Sequence, residues 1–507
     1  MLSEKLDGEI TFEKIHLKPF TTLVVKNAAI VDRNPVQDPL DSTSIKIDTL
    51  FRAEYIIARF TLDGLFRQES LHIDKAYVSN AQMTLVIEDK EDTGDGDVTT
   101  DNLSRIFRIR PSDSEPSEKE LFHIRKVEIR KMGFAMKIYQ SDRPSYEGGI
   151  DWNDLDVKDI NLNARNLRFE NGIMYGIGDR LSFREKSGYQ VVDMSGDVRV
   201  GRGKTIVENL HIDDLWSDVH LPLFMMSYAN VDAFSEFISQ VKLDGDISPS
   251  ILDFETLSYF APALKGNRFK ARVTGGMSGY VDDFTVKDVS IDTGTGRFSG
   301  TVNGRISGLP DIDRTYIDAE LSDFLISTRG LGDFVSEWMT DGNMDIDRFA
   351  KGILFSVNAK GKGLIDDLYL QAGISSLIGG LDADIRLKDV TKPARPIGIE
   401  GNLQTKDLNL GQILGTEFLG PATLRTSLKT QIGTGDTASE AIIDTLIIDR
   451  LNANHYDFSN IFAVGNISSD NFNGRIVSHD PNLNFIFQCT FSLSSRHRMQ
   501  DTGSSPI

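Results

Sequence analysis

The stretch LDADIRLKDV, residues 381–390, contains the pattern that decides the fold of this chain. Every second side chain is apolar, and the residues between them are charged. This period of two is typical of a β-strand with one apolar face and one hydrated face. The apolar face requires a cover, which is a second sheet, a helix or a molecule that is not protein. The nature of that cover decides what the protein does. The four apolar residues are Leu381, Ala383, Ile385 and Leu387.

Strand patterns of the same kind dominate the first half of the chain. LHIDKAYVSNAQMTLVIE (71–88) aligns without a gap with FHIRKVEIRKMGFAMKIY (122–139) at an offset of 51 residues. DWNDLDVKDINLNARNLRF (151–169) alternates in short runs that slip out of phase. A slip of one residue moves the following side chains to the other face, so each slip predicts a bulge or a turn.

Three stretches of the second half share another pattern: GYVDDFTVKDVSI (279–291), GLIDDLYLQAGIS (363–375) and EAIIDTLIIDRLN (440–452). In each, polar and mostly acidic residues lead into an alternating strand. Such self-similarity predicts an array whose units pack mainly on their neighbours. Equal phase in these units predicts one continuous apolar surface. Its predicted lining residues are Phe284, Val286, Val289, Ile291, Leu368, Leu370, Leu381, Ala383, Ile385, Leu387, Ile443 and Ile448.

Helical patterns are few and short, so the chain is predicted to be mainly β. Helices are expected at 100–109, 231–241, 251–264 and 331–339, and residues 2–6 resemble a helix end. The length of 507 residues exceeds the usual size of one core, which is roughly 100–200 residues. The predicted organisation is an N-terminal β region at 1–230, a helical segment at 231–265, a repeated β-groove region at 266–495 and an irregular tail at 496–507.

The composition and net charge of the chain disfavour two classes of electrostatic partner. Apolar residues make up 40% and charged residues 26% of the chain, which is ordinary for a folded protein. The net charge of −20 disfavours nucleic acid and anionic lipid head groups as electrostatic partners. The single cysteine, Cys489, excludes an intrachain disulfide. No apolar run approaches the ~18–20 residues that span a bilayer, and the N-terminus has no signal-peptide pattern, so the chain reads as soluble.

The stretches that resemble known catalytic or metal-binding motifs lack residues that those motifs require. GRGKT (201–205) lacks the glycine that a phosphate loop needs at position 198, where Val198 stands. DGNMDIDRFAKG (341–352) has Ile346 and Gly352 where a calcium loop needs Gly and Glu. The eight histidines show no paired metal spacing, and Cys489 has no neighbouring histidine. The sequence therefore predicts a protein that is not an enzyme, with no metal and no cofactor.

Three longer stretches follow the order of segments in a known protein family. They are SFREKSGYQVVDMSGDVRVGRGKTIVENLHIDDLWSDVHLP (182–222), the helical segment and return to strands at 241–286, and LNLGQILGTEFLGPATLRTSLK (408–429). In these stretches the chain resembles the TamB family of the AsmA-like superfamily. LSEKLDGEITFEKIHLKPFTTLVVKNAAIVD (2–32) is similar to the family's opening after its membrane anchor. The order of these segments is more specific than any one of them.

The resemblance implies an elongated, twisted β-sheet curled into an open apolar groove. It also implies a periplasmic lipid conduit that carries phospholipid acyl chains between the inner and outer membranes of diderm bacteria. The family's inner-membrane anchor and its C-terminal domain have no counterpart here, so the chain is expected to be the N-terminal portion of a longer member.

Two other interpretations stay open at this point. The family is also associated with the assembly or secretion of outer-membrane proteins, with a barrel protein of the TamA/BamA type as partner. Alternation alone also fits a closed β-sandwich, or a structural or adhesive β-solenoid, whose apolar faces meet only protein. An open apolar trough would favour transport of lipid, and a sealed core would favour a scaffold.

Overall fold

The computed structural model describes residues 7–18, 21–36, 47–61, 71–88, 101–107, 121–139, 148–260, 262, 265–266, 269–294, 298–309, 311–330, 352–392, 395–432, 439–468 and 471–492. The chain divides into two compact units, Met1–Tyr280 (unit 1) and Val281–Ile507 (unit 2). The finer division predicted from the sequence, with changes near residues 231, 266 and 496, stays a prediction.

Unit 1 is a β-sheet in which neighbours in sequence are mostly neighbours in space. β1 and β2 both pair with β3, and from β3 onward each strand pairs with the next. The strands are β1 Gly8–Thr11, β2 Lys14–Lys18, β3 Thr22–Val36, β4 Ile47–Phe60, β5 Leu71–Glu88, β6 Phe122–Tyr139, β7 Asp154–Glu170, β8 Ile173–Glu185, β9 Gln190–Val200, β10 Lys204–Asp214, β11 Asp218–Ser227, β12 Lys242–Asp253 and β13 Lys270–Tyr280.

The two similar segments of the first half form β5 and β6, and these strands lie side by side. They pair in parallel from Leu71 opposite Phe122 to Glu88 opposite Tyr139, so the pairing keeps the sequence offset of 51 throughout. The other strand pairs described in unit 1 are antiparallel. Parallel neighbours need a crossover connection, and the helix Asn102–Phe107 lies within it. The repeat in the sequence is therefore a pair of neighbouring strands.

Three further short helical segments of unit 1 lie where the sequence predicted helix. They are the 3-10 helix Val231–Glu236, the α-helix Phe237–Gln240 and the α-helix Phe254–Ser258. The last is shorter than the predicted 251–264, because Ile251 and its neighbours continue β12 to Asp253. Asp253 then caps the helix, accepting a hydrogen bond from the Glu255 amide at 3.0 Å. The predicted helices at 2–6 and 331–339 lie outside the described residues.

Unit 2 is an antiparallel sheet in which each long strand pairs with the next. The α-helix Leu410–Leu414 and the 3-10 helix Ile312–Arg314 connect strands. The strands are β14 Asp283–Asp292, β15 Phe298–Ser307, β16 Tyr316–Ser327, β17 Leu354–Leu364, β18 Asp367–Ser376, β19 Gly379–Lys388, β20 Ile397–Lys406, β21 Leu408–Asn409, β22 Leu419–Ile432, β23 Glu440–Ala453, β24 Tyr456–Ser468, β25 Asn471–Asp480 and β26 Leu483–Ser492.

The phase slips seen in the sequence are β-bulges. In β7, the register shifts between Lys158 and Asn161 and again between Arg165 and Arg168. Each of these two shifts contains a residue in the left-handed region, Asp159 (φ 54°) in the first and Asn166 (φ 55°) in the second, whereas a third shift, between Asn163 and Ala164, contains none. Asp and Asn tolerate this conformation better than most residues. The prediction of bulges at the slips is confirmed.

Bulges in unit 2 follow the same rule, and a neighbouring asparagine satisfies the main chain. Asp288 has φ 48° and donates its amide to Asn303 Oδ1 at 2.7 Å. Asp323 has φ 51° and donates its amide to Asn358 Oδ1 at 3.0 Å. Because each bulge restores the phase, the apolar side chains stay on one face along the whole strand.

The prediction of a mainly β fold, with open twisted sheet and few short helices, is confirmed within each unit. Within the described part of the chain, no helix combines the length and the apolar character needed to cross a bilayer.

Candidate functional site

The apolar face of unit 2 contains a row of apolar residues and glycines that crosses eleven strands. Directly paired residues of adjacent strands point to the same side of a sheet, so the row can be followed from register alone. We call it the central row. It consists of Val286, Gly304, Ala319, Gly361, Leu370, Ile385, Gly401, Leu428, Ile443, Gly465 and Gly474.

A second row, which we call the alanine row, runs beside the central row and crosses twelve strands. Its one polar member is Thr426, whose hydroxyl donates a hydrogen bond to the Thr445 carbonyl oxygen at 3.0 Å. At about 4.8 Å between neighbouring strands, the row covers roughly 50 Å of sheet. It consists of Val289, Val302, Leu321, Ala359, Ala372, Ala383, Leu403, Thr426, Leu446, Ala463, Ile476 and Phe487.

All twelve residues predicted to line the groove lie on this face. Phe284 joins a further row through Ile306, Ile317 and Gly363 to Leu368 and Leu387. Ile291 lies opposite Gly300, and Leu381 lies opposite Ile374. Ile448 pairs with Leu424, which shares its face with Thr426 and Leu428. The other predicted residues belong to the central row or the alanine row.

These side chains are half-buried, which distinguishes the face from a sealed core. Of the twelve predicted residues, Val289 alone is buried, at 9% exposure, and the remaining eleven are half-buried. Side chains in a layer covered by another layer of protein are usually fully buried. The packing within the described residues of unit 2 therefore leaves this face partly open.

The opposite face of unit 2 is polar and carries charges in alternation. A row parallel to the central row runs through Arg305, Asp318, Lys362, Tyr369, Arg386, Glu400 and Lys429. Lys362 contacts Asp318 at 2.8 Å, and Glu400 lies 3.3 Å from Lys388 and 3.4 Å from Lys429. The hydrogen bond from Arg386 lowers the pKa of Asp367, and the one from Lys388 lowers the pKa of Glu400. The two faces of one sheet thus differ sharply in chemistry.

Glycine has two structural roles in the central row. Gly401 has φ +145° and lies opposite Ile385, where a Cβ would collide with the main-chain oxygen of Asp384. Gly361 has no such constraint, and the nearest atom to a Cβ there is 3.7 Å away in Leu368. Gly401 is therefore required by the backbone. Gly361 instead leaves a gap between the side chains of its neighbours in the row.

Unit 1 also has a continuous apolar row, made of larger side chains. It crosses nine strands, from β3 to β11, and consists of Val25, Ile56, Val78, Ile129, Leu162, Leu181, Met194, Ile212 and Val219. Its side chains are half-buried like those of unit 2.

Part of the unit 1 face is covered by the protein itself. A buried cluster of Ile150, Tyr189 and Val191 packs against Met194 and Ile212 of the row. A second cluster, Tyr228, Ala233 and Val241, packs against residues that include Met226 and Leu243. The 3-10 helix Val231–Glu236 supplies Ala233. These clusters close over the face near β9–β12.

Asp214 ties the short helix Phe254–Ser258 to the sheet beside the first cluster. Its buried carboxylate accepts hydrogen bonds from the amides of Trp216 and Ser217, both at 2.7 Å, and from the Thr256 hydroxyl at 2.9 Å. Burial, together with the charge of Asp214, raises the pKa of Tyr189 far above its usual value. The cover of unit 1 is thus held by a satisfied polar network.

One sizeable pocket of unit 2 lies mainly on the polar side of β19, β20, β22 and β23. Its volume is about 490 Å³, and the polar residues that line it include Asp382, Asp384, Asn402, Gln404 and Arg425, while Ala383, Leu403 and Thr426 of the alanine row also border it. The polar residues alternate with the apolar ones along their strands, so the pocket opens mainly on the polar face.

One cluster of residues that could bind a metal ion was not predicted from the sequence. His211 and His220 are directly paired across β10 and β11, and both lie close to Asp218. The two histidines are nine positions apart in the chain, so the sequence shows no metal-ligand spacing. If residues 215–217 are taken as the turn of a hairpin, residue 213 pairs with 218 and residue 211 pairs with 220. The sequence therefore contained enough information to predict that the two histidines are neighbours.

No protein-family model, curated protein or solved structure matches this chain. The resemblance to the TamB family therefore stays a prediction.

Proposed function

We propose that unit 2 is a non-enzymatic lipid-binding surface, and that its apolar face holds phospholipid acyl chains. The observation that carries the proposal is the pair of neighbouring rows, which contain no charged residue across eleven and twelve strands. This face is half-buried and is backed by a face of ion pairs.

The energetics of lipid transfer fit a surface of this kind. Burial of apolar groups contributes about 0.8 kcal/mol per CH₂. A lipid with two ~16-carbon chains therefore meets a barrier of roughly 20 kcal/mol or more in crossing water. A continuous apolar row removes most of this barrier without any catalytic group. On this basis we propose transport of phospholipid between the two membranes of a diderm envelope, with a periplasmic location.

Ile385→Asp is the variant that tests the lipid-binding surface. Ile385 lies in the middle of the central row, between Leu370 and Gly401. A carboxylate there either stays hydrated and wets the row, or is buried at a cost of several kcal/mol. We expect Ile385→Asp to lose most of the labelling by a photoactivatable phospholipid. Native mass spectrometry of the wild-type chain should show bound phospholipid.

The matched control is Tyr369→Asp, on the polar face of the neighbouring strand. Tyr369 is 44% exposed and is paired with Lys362 and Arg386, so a new carboxylate there stays in water beside two cationic neighbours and one anionic neighbour, Asp384. Arg386 itself is unsuitable for the control, because it already bonds Asp367. Labelling is compared at equal folded concentration. Equal labelling of the wild type and both variants contradicts the proposal, and unfolding of Ile385→Asp alone favours a sealed core.

A further inference from the structure

The polar face of unit 1 holds two histidines in a fixed relation. In β10 and β11, Ile212 and Val219 form a pair on the apolar face, so the neighbouring pair His211 and His220 lies on the polar face. The imidazole rings stack with centroids 4.3 Å apart and planes 5° apart. The hairpin turn beside them is closed by the hydrogen bond from the Asp214 amide to the Ser217 carbonyl oxygen at 3.0 Å. The backbone therefore fixes the spacing of the two rings.

Both rings direct the same nitrogen at one carboxylate oxygen. His211 Nε2 lies 2.9 Å and His220 Nε2 lies 3.0 Å from Asp218 Oδ1. One ligand atom from each of these three residues lies within 4.8 Å of the others. Bonds of about 2.0–2.2 Å to a tetrahedral metal ion bring its ligand atoms to roughly 3.3 Å apart. Small side-chain rotations are therefore sufficient to form a three-ligand site.

The surroundings of the cluster favour a cation. Asp213 is paired with Asp218 on one side and with Asp193 on the other, so a row of three carboxylates crosses β9, β10 and β11. Arg180 lies 3.7 Å from Asp193 and neutralises part of this charge. The side chains of His211, Asp218 and His220 are 34%, 50% and 44% exposed, so an ion from solvent can reach them.

We propose that His211, His220 and Asp218 form a binding site for a divalent transition-metal ion of the zinc type. Neutral imidazole and carboxylate suit Zn²⁺, Ni²⁺ or Cu²⁺, whereas Mg²⁺ prefers oxygen ligands alone. The three protein ligands leave at least one coordination position for water. The ion cross-links β10 and β11 on the face opposite the apolar row, so the site is independent of lipid binding.

The test uses the full chain, without a histidine tag and freed of metal by chelator. Zn²⁺ binding is measured by isothermal titration calorimetry, and Co²⁺ is added as a spectroscopic probe of nitrogen and oxygen ligation. We expect one saturable Zn²⁺ site per chain, visible Co²⁺ ligand-field bands and no heat from Mg²⁺ at the same concentration.

Variants assign the binding to the cluster. We expect His211→Gln and His220→Gln each to weaken Zn²⁺ binding by at least about tenfold, since even outer-shell changes have effects of that size. Asp218→Asn should also weaken it. The control is His479→Gln, an exposed strand histidine of unit 2, which should bind Zn²⁺ like the wild type. Circular dichroism establishes that each variant is folded.

Two outcomes overturn the proposal. The first is a wild-type chain that shows no saturable Zn²⁺ binding and no Co²⁺ bands, in which case the cluster is only a hydrogen-bonded His–Asp–His group. The second is a His211→Gln/His220→Gln double variant that binds Zn²⁺ as tightly as the wild type, because the site then lies elsewhere in the chain.

Discussion

The apolar faces of unit 1 and unit 2 are built from strands of the same kind, but the rest of the protein covers them to different extents. In unit 1, Met194 and Ile212 of the apolar row lie under a buried cluster that includes Ile150 and Val191. In unit 2, the described residues provide no buried cluster of that kind over the apolar rows. The same alternating pattern therefore serves as a partly closed core in one unit and as a partly open surface in the other.

The composition of the two rows differs in the same direction. The nine residues of the unit 1 row all have large side chains, whereas five of the eleven positions in the central row of unit 2 are glycine. Large side chains fill the space beneath a cover. Gly361 leaves open space beside its neighbours, which suits a surface that an outside molecule occupies, whereas an added Cβ at Gly304, Gly401 or Gly465 would come within 2.8 Å of a neighbouring atom. The open position at Gly361 supports the proposal that lipid binds to unit 2 rather than to unit 1.

Matched Ile→Ala substitutions give the largest expected contrast between the units. Ile150 is 8% exposed and belongs to the buried cluster, so Ile150→Ala should destabilise unit 1 by about 3 kcal/mol. Ile385 is half-buried, so Ile385→Ala should destabilise unit 2 by about 1 kcal/mol. Hydrogen exchange read by mass spectrometry reports the two units separately. Equal losses, or a larger loss at Ile385, would show that the unit 2 face is a sealed core.

Two glycines of the central row give the next largest contrast. Gly401→Ala forces a side chain into φ +145° and should destabilise unit 2 by about 2 kcal/mol. Gly361→Ala meets no close atom and should be neutral or stabilising by about 0.5 kcal/mol. Chemical denaturation followed by circular dichroism measures both. If Gly361→Ala is as damaging as Gly401→Ala, the space above Gly361 is already filled by protein.

The face of each strand was predictable because alternation is a local property of the sequence. Leu381, Ala383, Ile385 and Leu387 needed no knowledge of their neighbours to be placed together. Bulges were visible as phase slips, and Asp159 and Asn166 occupy them as residues that tolerate positive φ. The repeat of 71–88 and 122–139 was also visible. Its parallel pairing was not, because register and strand direction depend on long-range contacts.

The cover of each face was not predictable, since it depends on packing between distant segments. Nothing in the alternation of β9 or β10 shows that a buried cluster containing Ile150 packs against Met194 and Ile212. His211 and His220 were missed for a related reason, because the turn at 215–217 brings them together while the sequence separates them.

The similarity among the three stretches of the second half is partial. The stretch 440–452 lies within one continuous strand, whereas the stretch 363–375 contains a turn at 365–366.

The polar face of unit 2 should give the smallest effect, because its ion pairs are exposed. The hydrogen bond from Arg386 lowers the pKa of Asp367 below its ordinary value of 3.8. A carboxylate with a lowered folded-state pKa stabilises the fold above its unfolded pKa, and that stability is lost as the pH falls through the folded value. Acidification below about pH 4 should therefore lower the denaturation midpoint of unit 2 slightly.

Asp367→Asn isolates this contribution. The variant lacks the ionisable group, so its midpoint should lie slightly below that of the wild type at pH 7 and should approach it as the pH falls below 3.8. Concentrated salt at pH 7 should narrow the same gap, because it screens exposed charges. Urea denaturation at pH 7 and at pH 3 measures the gap. A gap that widens on acidification would mean that the folded state raises the pKa of Asp367, contrary to its contact with Arg386. A gap as large as that of Gly401→Ala would place more of the stability of unit 2 on its charged face than its exposure allows.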